Sequence, residues 1–243
     1  MVKMSEEKKL IVNGKRLDGR ALDELREMEA RAGVIPRAEG SGYFRLGNTI
    51  AVAAVYGPRQ LHPKHLTDPL RAYVRCRYNM APFSTKDRVR PGPSRRSIEI
   101  SKVIKEALQA VIFVDEFPKA GIEIFIEILQ ADASTRCVGL NAASIALADA
   151  GIPMRDLIAS CSAGKVDGEI VLDIAGDEDC EGEVDLPIAY IPRENKIYLL
   201  QMDGLITKEE LKKAIDMAIK GCKIIYEKQK EALKKKYEEF EVN

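Results

Sequence analysis

The chain has no tryptophan, only two histidines and an aromatic content of 6% over 243 residues. Aliphatic side chains must therefore fill the interior, and a hydrophobic share of 46% suffices for one sizeable core or two small ones. Cysteine is sparse and odd in number. Cys76, Cys137, Cys161, Cys180 and Cys222 are scattered, without CxxC spacing and without clustering near His62 or His65. That excludes a recognisable zinc site and gives no basis for a disulfide framework. No apolar run is long enough to span a bilayer, and the first residues are polar and charged, unlike a signal peptide. The expectation is a soluble cytoplasmic protein without a membrane partner. Net charge is missing too, at +0, which at first argues against a nucleic-acid binder.

The charges are nevertheless segregated. From Arg59 to Arg96 there are ten Lys or Arg against Asp68 and Asp87, whereas from Asp167 to Asp185 there are nine acids and no base. A neutral chain arranged in this way can still present a positive groove, because a phosphate responds to the local field. On charge alone, two solvated faces that pair with each other or with a partner are the simpler account.

Residues 1–20 read as a polar N-terminal extension ending in the turn-like Arg16-Leu17-Asp18-Gly19-Arg20. Strands are expected at 49–56, which is β-branched and apolar, at 71–80, and at 122–129, where four isoleucines alternate with Glu123, Phe125 and Glu127. Ser94 can cap a helix bearing Ile98, Val103, Ile104, Leu108 and Ile112. A small-residue helix should run over about 138–150 and stop at Gly151. Short strands follow near 157–164, 169–174, 184–191 and 196–202, and Thr207-Lys208-Glu209-Glu210 opens a last helix over about 207–240. No repeat or low-complexity linker divides the chain, so it reads as one α+β domain over 1–243 with helices on mixed sheets.

Three polar groups stand out. Ser94-Arg95-Arg96 lies at a helix start, where two guanidiniums beside open N–H groups suit an oxyanion; ion pairing of either arginine with Glu99 is the plain alternative. Asp132-Ala133-Ser134-Thr135-Arg136 connects a strand to a helix and can wrap a phosphate with amides, hydroxyls and Arg136. Simple capping explains the hydroxyls but not the arginine. Asp177 to Asp185 is an acidic run whose carboxylates can hold Mg²⁺ or act as a general acid, and a solvated acidic loop is the commoner outcome for such runs. The residues alone take the reading as far as a phosphoryl-transfer enzyme and leave the plain alternatives open.

Taken together and in order, the Arg16–Arg20 stretch, Pro93-Ser94-Arg95-Arg96-Ser97-Ile98-Glu99-Ile100-Ser101, Leu129-Gln130-Ala131-Asp132-Ala133-Ser134-Thr135-Arg136 and Asp179 with Asp185 resemble the ribonuclease PH family. Residues 61–66 and 146–154 are similar to the catalytic ribonuclease-PH-like subunits of archaeal exosome rings. The resemblance covers nearly the whole chain. It implies the ribonuclease-PH fold, with two similar βαβα halves, mixed sheets and packed helices of the ribosomal protein S5 domain 2-like type. It also implies 3′→5′ phosphorolytic removal of nucleotides from single-stranded RNA, with inorganic phosphate as co-substrate, nucleoside diphosphates as products and RNA tailing as the reverse reaction.

Carried over by position, Arg95 and Arg96 contact the RNA backbone, and Arg96 with Ser134, Thr135 and Arg136 binds phosphate. Asp179 is the general acid, Asp185 supports it, and the pair holds Mg²⁺. Lys64 and His65 grip single-stranded RNA at the entry pore of the ring. The implied partners are a non-catalytic sister subunit, in a hetero-hexameric ring, and RNA-binding cap proteins. Many relatives have glycine where this chain has Ser134. Two other readings remain: a homo-hexameric ribonuclease PH that trims transfer RNA ends, and a non-catalytic RNA-binding ring subunit. Against the latter, both arginines and both aspartates are present.

Overall fold

The computed structural model describes residues 9–12 and 14–241; residues 1–8 of the expected N-terminal extension lie outside them. A short hairpin, β1 (Ile11–Val12) and β2 (Lys15–Arg16), comes first. The first sheet contains β3 (Met28–Ala32), β4 (Gly40–Leu46), β5 (Thr49–Gln60), β6 (Tyr73–Met80) and, after helix α1 (Arg95–Val111), β7 (Ala120–Gln130). Their order is β3-β4-β5-β7-β6, antiparallel except for β6, which runs parallel to β7. Helix α2 (Thr135–Asp149) leads to the second sheet, formed by β8 (Ala159–Val166), β9 (Glu169–Leu172), β10 (Val184–Ile191) and β11 (Lys196–Leu200) in the order β11-β10-β8-β9. The short helix α3 (Asp177–Glu181) separates β9 from β10, the two-residue β12 (Asp203–Gly204) pairs with the start of β10, and α4 (Lys208–Glu241) ends the described chain.

The α+β class with mixed sheets is as the sequence implied. In the first half, β6-α1-β7-α2 is a βαβα run. The second half arranges its strands as two hairpins around α3 before α4. In the first sheet, β3 and β4 have no counterpart among the expected strands, because MEARA and GSGYFRL carry charge and glycine where a strand normally shows β-branched alternation. Strand β5 also runs past Gly57-Pro58 to Gln60 instead of ending at that pair. The register shifts between Tyr56 and Arg59, an irregularity of the kind that accommodates a proline within a sheet.

Local chemistry explains the elements that position the site. Ile122, Ile124, Ile126 and Ile128 are all buried on one face of β7. Ser94 caps α1 with a reciprocal box: its hydroxyl accepts from Ser97 N–H at 3.0 Å, and the Ser97 hydroxyl accepts from Ser94 N–H at 2.8 Å. Helix α2 is buried almost all round because it lies between the sheets, against β4, β5 and β7 on one side and β8 and β10 on the other. Its alanines allow backbone contact: a Cβ on Gly42 would stand 2.3 Å from the Ala142 carbonyl oxygen, so β4 needs glycine there. A single hydrophobic cluster runs from Phe44 and Ile126 through α2 to Ile188 and Ile225 of the second sheet and α4.

The described residues of the expected extension, 9–12 and 14–20, are part of this packed body. Leu10 joins Val166, Val171 and Ile174 in a small cluster. The Arg16–Arg20 turn faces inward. Arg16 forms a two-pronged ion pair with Glu178 and donates to the carbonyls of Leu172 and Asp173. Asp173, fully buried, accepts from the Arg26 backbone N–H at 2.9 Å, from Arg26 Nε at 2.9 Å and Nη2 at 2.7 Å, and from Arg20 at 3.3 Å. Two thirds of the Arg16/Arg20/Arg26 set thus neutralises one carboxylate. Removing that carboxylate leaves the buried Arg26 guanidinium without its ion-pair partner, while Arg20 keeps Asp18, so Asp173→Ala should cost about 3–5 kcal/mol in urea unfolding. Arg31→Ala, which breaks an exposed pair with Glu29, should cost less than about 1 kcal/mol in the same assay.

Candidate active site

The turn between β7 and α2 holds two non-glycine residues in the left-handed region, Ala133 at φ 61° and Ser134 at φ 52°. Such backbone is held only where its surroundings over-determine it. Here Thr49 Oγ1 lies 2.8 Å from the carbonyls of Asp132 and Ala133 and 3.0 Å from Asp132 N, and Arg26 Nη1 donates to the Asp132 carbonyl at 2.6 Å. Ser134 does not cap α2. Its hydroxyl donates to the Ile174 carbonyl at 3.0 Å and meets Ser162 Oγ at 2.8 Å, so it fastens the turn to the second sheet. Among the sequence-predicted phosphate ligands, Ser134 therefore has only backbone to offer. Among the described residues no side chain caps the first turn of α2, which leaves its leading N–H groups open to an anion.

Thr135 is buried and accepts a 2.8 Å hydrogen bond from the Tyr78 hydroxyl. Burial pushes the Tyr78 phenol up, while Thr135 and the nearby charges of Arg96 and Arg136 pull it down. Tyr78 thus marks where three predicted site residues converge, and its place in the site was invisible in the sequence. Arg136 Nη2 bonds Glu99 Oε2 at 3.2 Å, while Arg136 Nε is buried with no acceptor among the described residues. Glu99 takes this arginine instead of its helix neighbours. Arg95 and Arg96 consequently have no ion pair among the described residues, which sets aside the plain alternative of pairing with Glu99.

The carboxylates approach from the second sheet. Asp179 is exposed on α3, and Asp185 is half-buried near the start of β10. Asp203 of β12 lies directly across from Asp185 in the antiparallel register. Gly204, at φ 105°, makes this possible, since a Cβ there would stand 2.1 Å from the Glu183 carbonyl oxygen. Burial raises the Asp185 carboxyl to about 6, with Asp179 and Asp203 adding to the effect and Arg136 and Arg96 opposing it. No sequence motif singles out Asp203; its strand partner identifies it. No group of three or more His, Cys, Asp or Glu suited to a metal occurs among the described residues. Asp179 and Asp185 would hold Mg²⁺ as two carboxylates, with water or phosphate oxygens completing its shell, which is how Mg²⁺ is commonly bound.

Asp167, Glu178 and Glu183 of the acidic stretch are structural. Asp167 accepts from the N–H groups of Leu10 and Ile11, Glu178 binds Arg16, and Glu183 binds Lys165. In the basic stretch, Arg59 and Arg75 pair with Glu123, and Arg71 pairs with Asp68. Lys64 and His65 are exposed on a short turn between β5 and β6. That turn adjoins the start of β7, since Lys119 N–H donates to the Asp68 carbonyl, whereas the Asp132–Arg136 turn follows its end. Eleven residues of strand separate the two, roughly 30 Å. Lys64 and His65 are therefore not part of the catalytic cluster.

The raised Asp185 carboxyl carries a sign that can be tested. Its contribution to stability is fully present below the unfolded value of about 4 and is lost as pH rises through about 6. Asp185→Asn should therefore be more stable than the unaltered chain at pH 8, by about 1–3 kcal/mol, with the advantage vanishing near pH 4. Denaturant melts across this pH range, in the presence of a chelator, measure it.

The chain matches the models of the 3′ exoribonuclease family, domain 1 over residues 24–153 and domain 2 over residues 156–221. It is 59% identical over 225 residues to the exosome complex component Rrp41 of Pyrococcus furiosus, covering 93% of this chain and 90% of that one. With Rrp41 of Methanopyrus kandleri it shares 60% over 225 residues, 93% of this chain and 94% of that one. Among solved structures it is similar to an Archaeoglobus fulgidus exosome with RNA bound to the active site, with a TM-score of 0.76 and 25% identity over 88% of this chain and 92% of that one. Rice Rrp46 shares the fold, with a TM-score of 0.79 and 23% identity over 90% of this chain and all of that one. On these matches, which span both sheets and every residue of the site just described, the chain belongs to the 3′ exoribonuclease family.

Proposed function

We propose that this chain is the RNA-degrading subunit of an archaeal-type exosome, removing nucleotides from the 3′ end of single-stranded RNA by phosphorolysis. The observation that carries the reading is the open N-terminus of α2 with Arg136, next to the half-buried Asp185, whose carboxyl burial raises to about 6. Phosphorolysis needs both: a cradle for a free phosphate, and a proton for the oxygen that leaves. The Rrp41 relatives are exosome components, which supports the assignment to that assembly.

In the proposed reaction an oxygen of inorganic phosphate attacks the phosphorus of the terminal phosphodiester. The bond from that phosphorus to the 3′ oxygen of the penultimate nucleotide breaks. The terminal residue leaves as a nucleoside diphosphate, and the shortened RNA regains a 3′ hydroxyl. Arg136, the amides of the α2 N-terminus and Arg96 hold the attacking phosphate, and Thr135 contributes its hydroxyl proton. Arg95 and Arg96 hold the RNA backbone across the scissile bond. Asp179, the more exposed carboxyl, is the general acid to the leaving oxygen, and Asp185, beside it, supports it. In their ionised form Asp179 and Asp185 would instead hold Mg²⁺, which would supply charge neutralisation at the phosphoryl oxygens in place of the proton. Run backwards, the same site adds RNA tails from nucleoside diphosphates. The working form is a cytoplasmic hexameric ring with a non-catalytic sister subunit, beneath RNA-binding cap proteins, and Lys64 and His65 grip the strand where it enters.

The test is product analysis on unstructured RNA, with and without phosphate, using the chain assembled with its sister subunit. Nucleoside diphosphates that appear only with phosphate are expected, and phosphate-independent monophosphates would sink the reading. Asp179→Ala should lower the rate by roughly 10²–10⁴-fold. Lys64→Ala with His65→Ala should weaken turnover of long RNA while sparing an oligonucleotide too short to reach that turn from the active site.

A further inference from the structure

We propose that Glu99, held by Gln201, is a positioning residue that aims the Arg136 guanidinium at the attacking phosphate; this rests on the phosphorolytic reading above. Three elements meet in one chain of contacts. Glu99 lies in the first turns of α1 and its Oε2 accepts from Arg136 Nη2 at 3.2 Å, in the first turn of α2. Its other oxygen, Oε1, accepts from Gln201 Nε2 at 2.8 Å, just past the end of β11. Gln201 is itself tied to the second sheet by its N–H, which donates to the Pro187 carbonyl at 3.2 Å. Both oxygens of the carboxylate are thus committed, and neither helix neighbour, Arg95 or Arg96, shares it.

The consequence for Arg136 is geometric. A guanidinium is a rigid planar fork, so holding Nη2 narrows the orientations open to its remaining donors. Arg136 Nε is buried and has no acceptor among the described residues, although its Nη2 is paired. A buried, charged donor left without an acceptor is costly, and an oxyanion at the adjoining α2 N-terminus supplies one. Glu99 therefore engages one nitrogen of Arg136 and leaves Nε, next to the α2 N-terminus, without an acceptor among the described residues. The arrangement also connects the phosphate-binding helix to the strand region carrying Asp203, two residues beyond Gln201, so cation and carboxylate keep one spacing.

The alternative is that Glu99 competes with phosphate for Arg136, and the two differ in sign. In the assembled ring, the KM for inorganic phosphate and kcat are measured on unstructured RNA for Glu99→Ala, Glu99→Gln and Gln201→Leu, with melting temperatures as a check. Glu99→Ala should raise the KM for phosphate roughly tenfold, the scale of one charge-assisted hydrogen bond, with kcat changed far less. Glu99→Gln retains an oxygen acceptor for Arg136 and should stay close to the unaltered ring. Gln201→Leu should lie between them and provides the reading if Glu99→Ala fails to fold. An unchanged KM in Glu99→Ala overturns the inference, as does a lower KM in both Glu99 variants, which would mark competition. An unaltered ring that releases no nucleoside diphosphate overturns the phosphorolytic reading itself, and this inference with it.

Discussion

The buried carboxylate of Asp173 is the constraint on which the rest depends. It sits at the end of β9, takes Arg26 through both side-chain and backbone donors, and draws in Arg20. Arg26 in turn holds the Asp132 carbonyl, and Arg16 holds Glu178 at the head of α3. One ionic cluster thereby joins the N-terminal turn, the phosphate turn and the short helix bearing Asp179. Burying so much charge gains little net stability, because desolvation opposes the attraction. Its effect is on geometry: the paired guanidiniums of Arg16 and Arg26 tie the N-terminal turn, the phosphate turn and α3 to one another at the site.

On this frame the site is assembled from strained and unsatisfied parts. Ala133 and Ser134 occupy left-handed backbone, α2 starts without a side-chain cap, Arg136 keeps an unpaired buried donor, and Asp185 is crowded by Asp179 and Asp203. Each costs stability in the isolated chain, and a bound phosphate would relieve the open helix end and the guanidinium together. Glycine at position 134 would adopt the same backbone without strain. Serine instead adds two contacts to the second sheet, to Ser162 and Ile174, and these offset that strain by fastening the turn.

Legibility in the sequence followed the range of the interactions. Local patterns were read correctly: the isoleucine alternation of β7, the Ser94 cap, the small-residue helix α2, and the strand at 184–191, whose bounds match β10. Strands β3 and β4 were missed because glycine serves contact with α2 there and charge faces outward, so no period of two is visible. The acidic run looked uniform, yet Asp167, Asp173, Glu178 and Glu183 are structural while Asp179 and Asp185 face the site. Nothing local separates these two groups, since the difference lies in the partners each carboxylate meets.

By itself the sequence determined which residue types are available: the arginine pair at a helix start, the hydroxyl-rich turn before Arg136, and the two aspartates. These depend on neighbours a few positions away, and spacing along the chain reports them. Only the tertiary structure decided how they are used. It turned the Ser134 hydroxyl away from the site, gave Glu99 to Arg136 rather than to Arg95 or Arg96, and set Asp203 beside Asp185. It also placed Lys64 and His65 at the far end of β7 from the phosphate turn. The reason is physical: the charge state, the reach and the free donors of a side chain are set by groups distant in sequence, which only packing brings within a few ångströms.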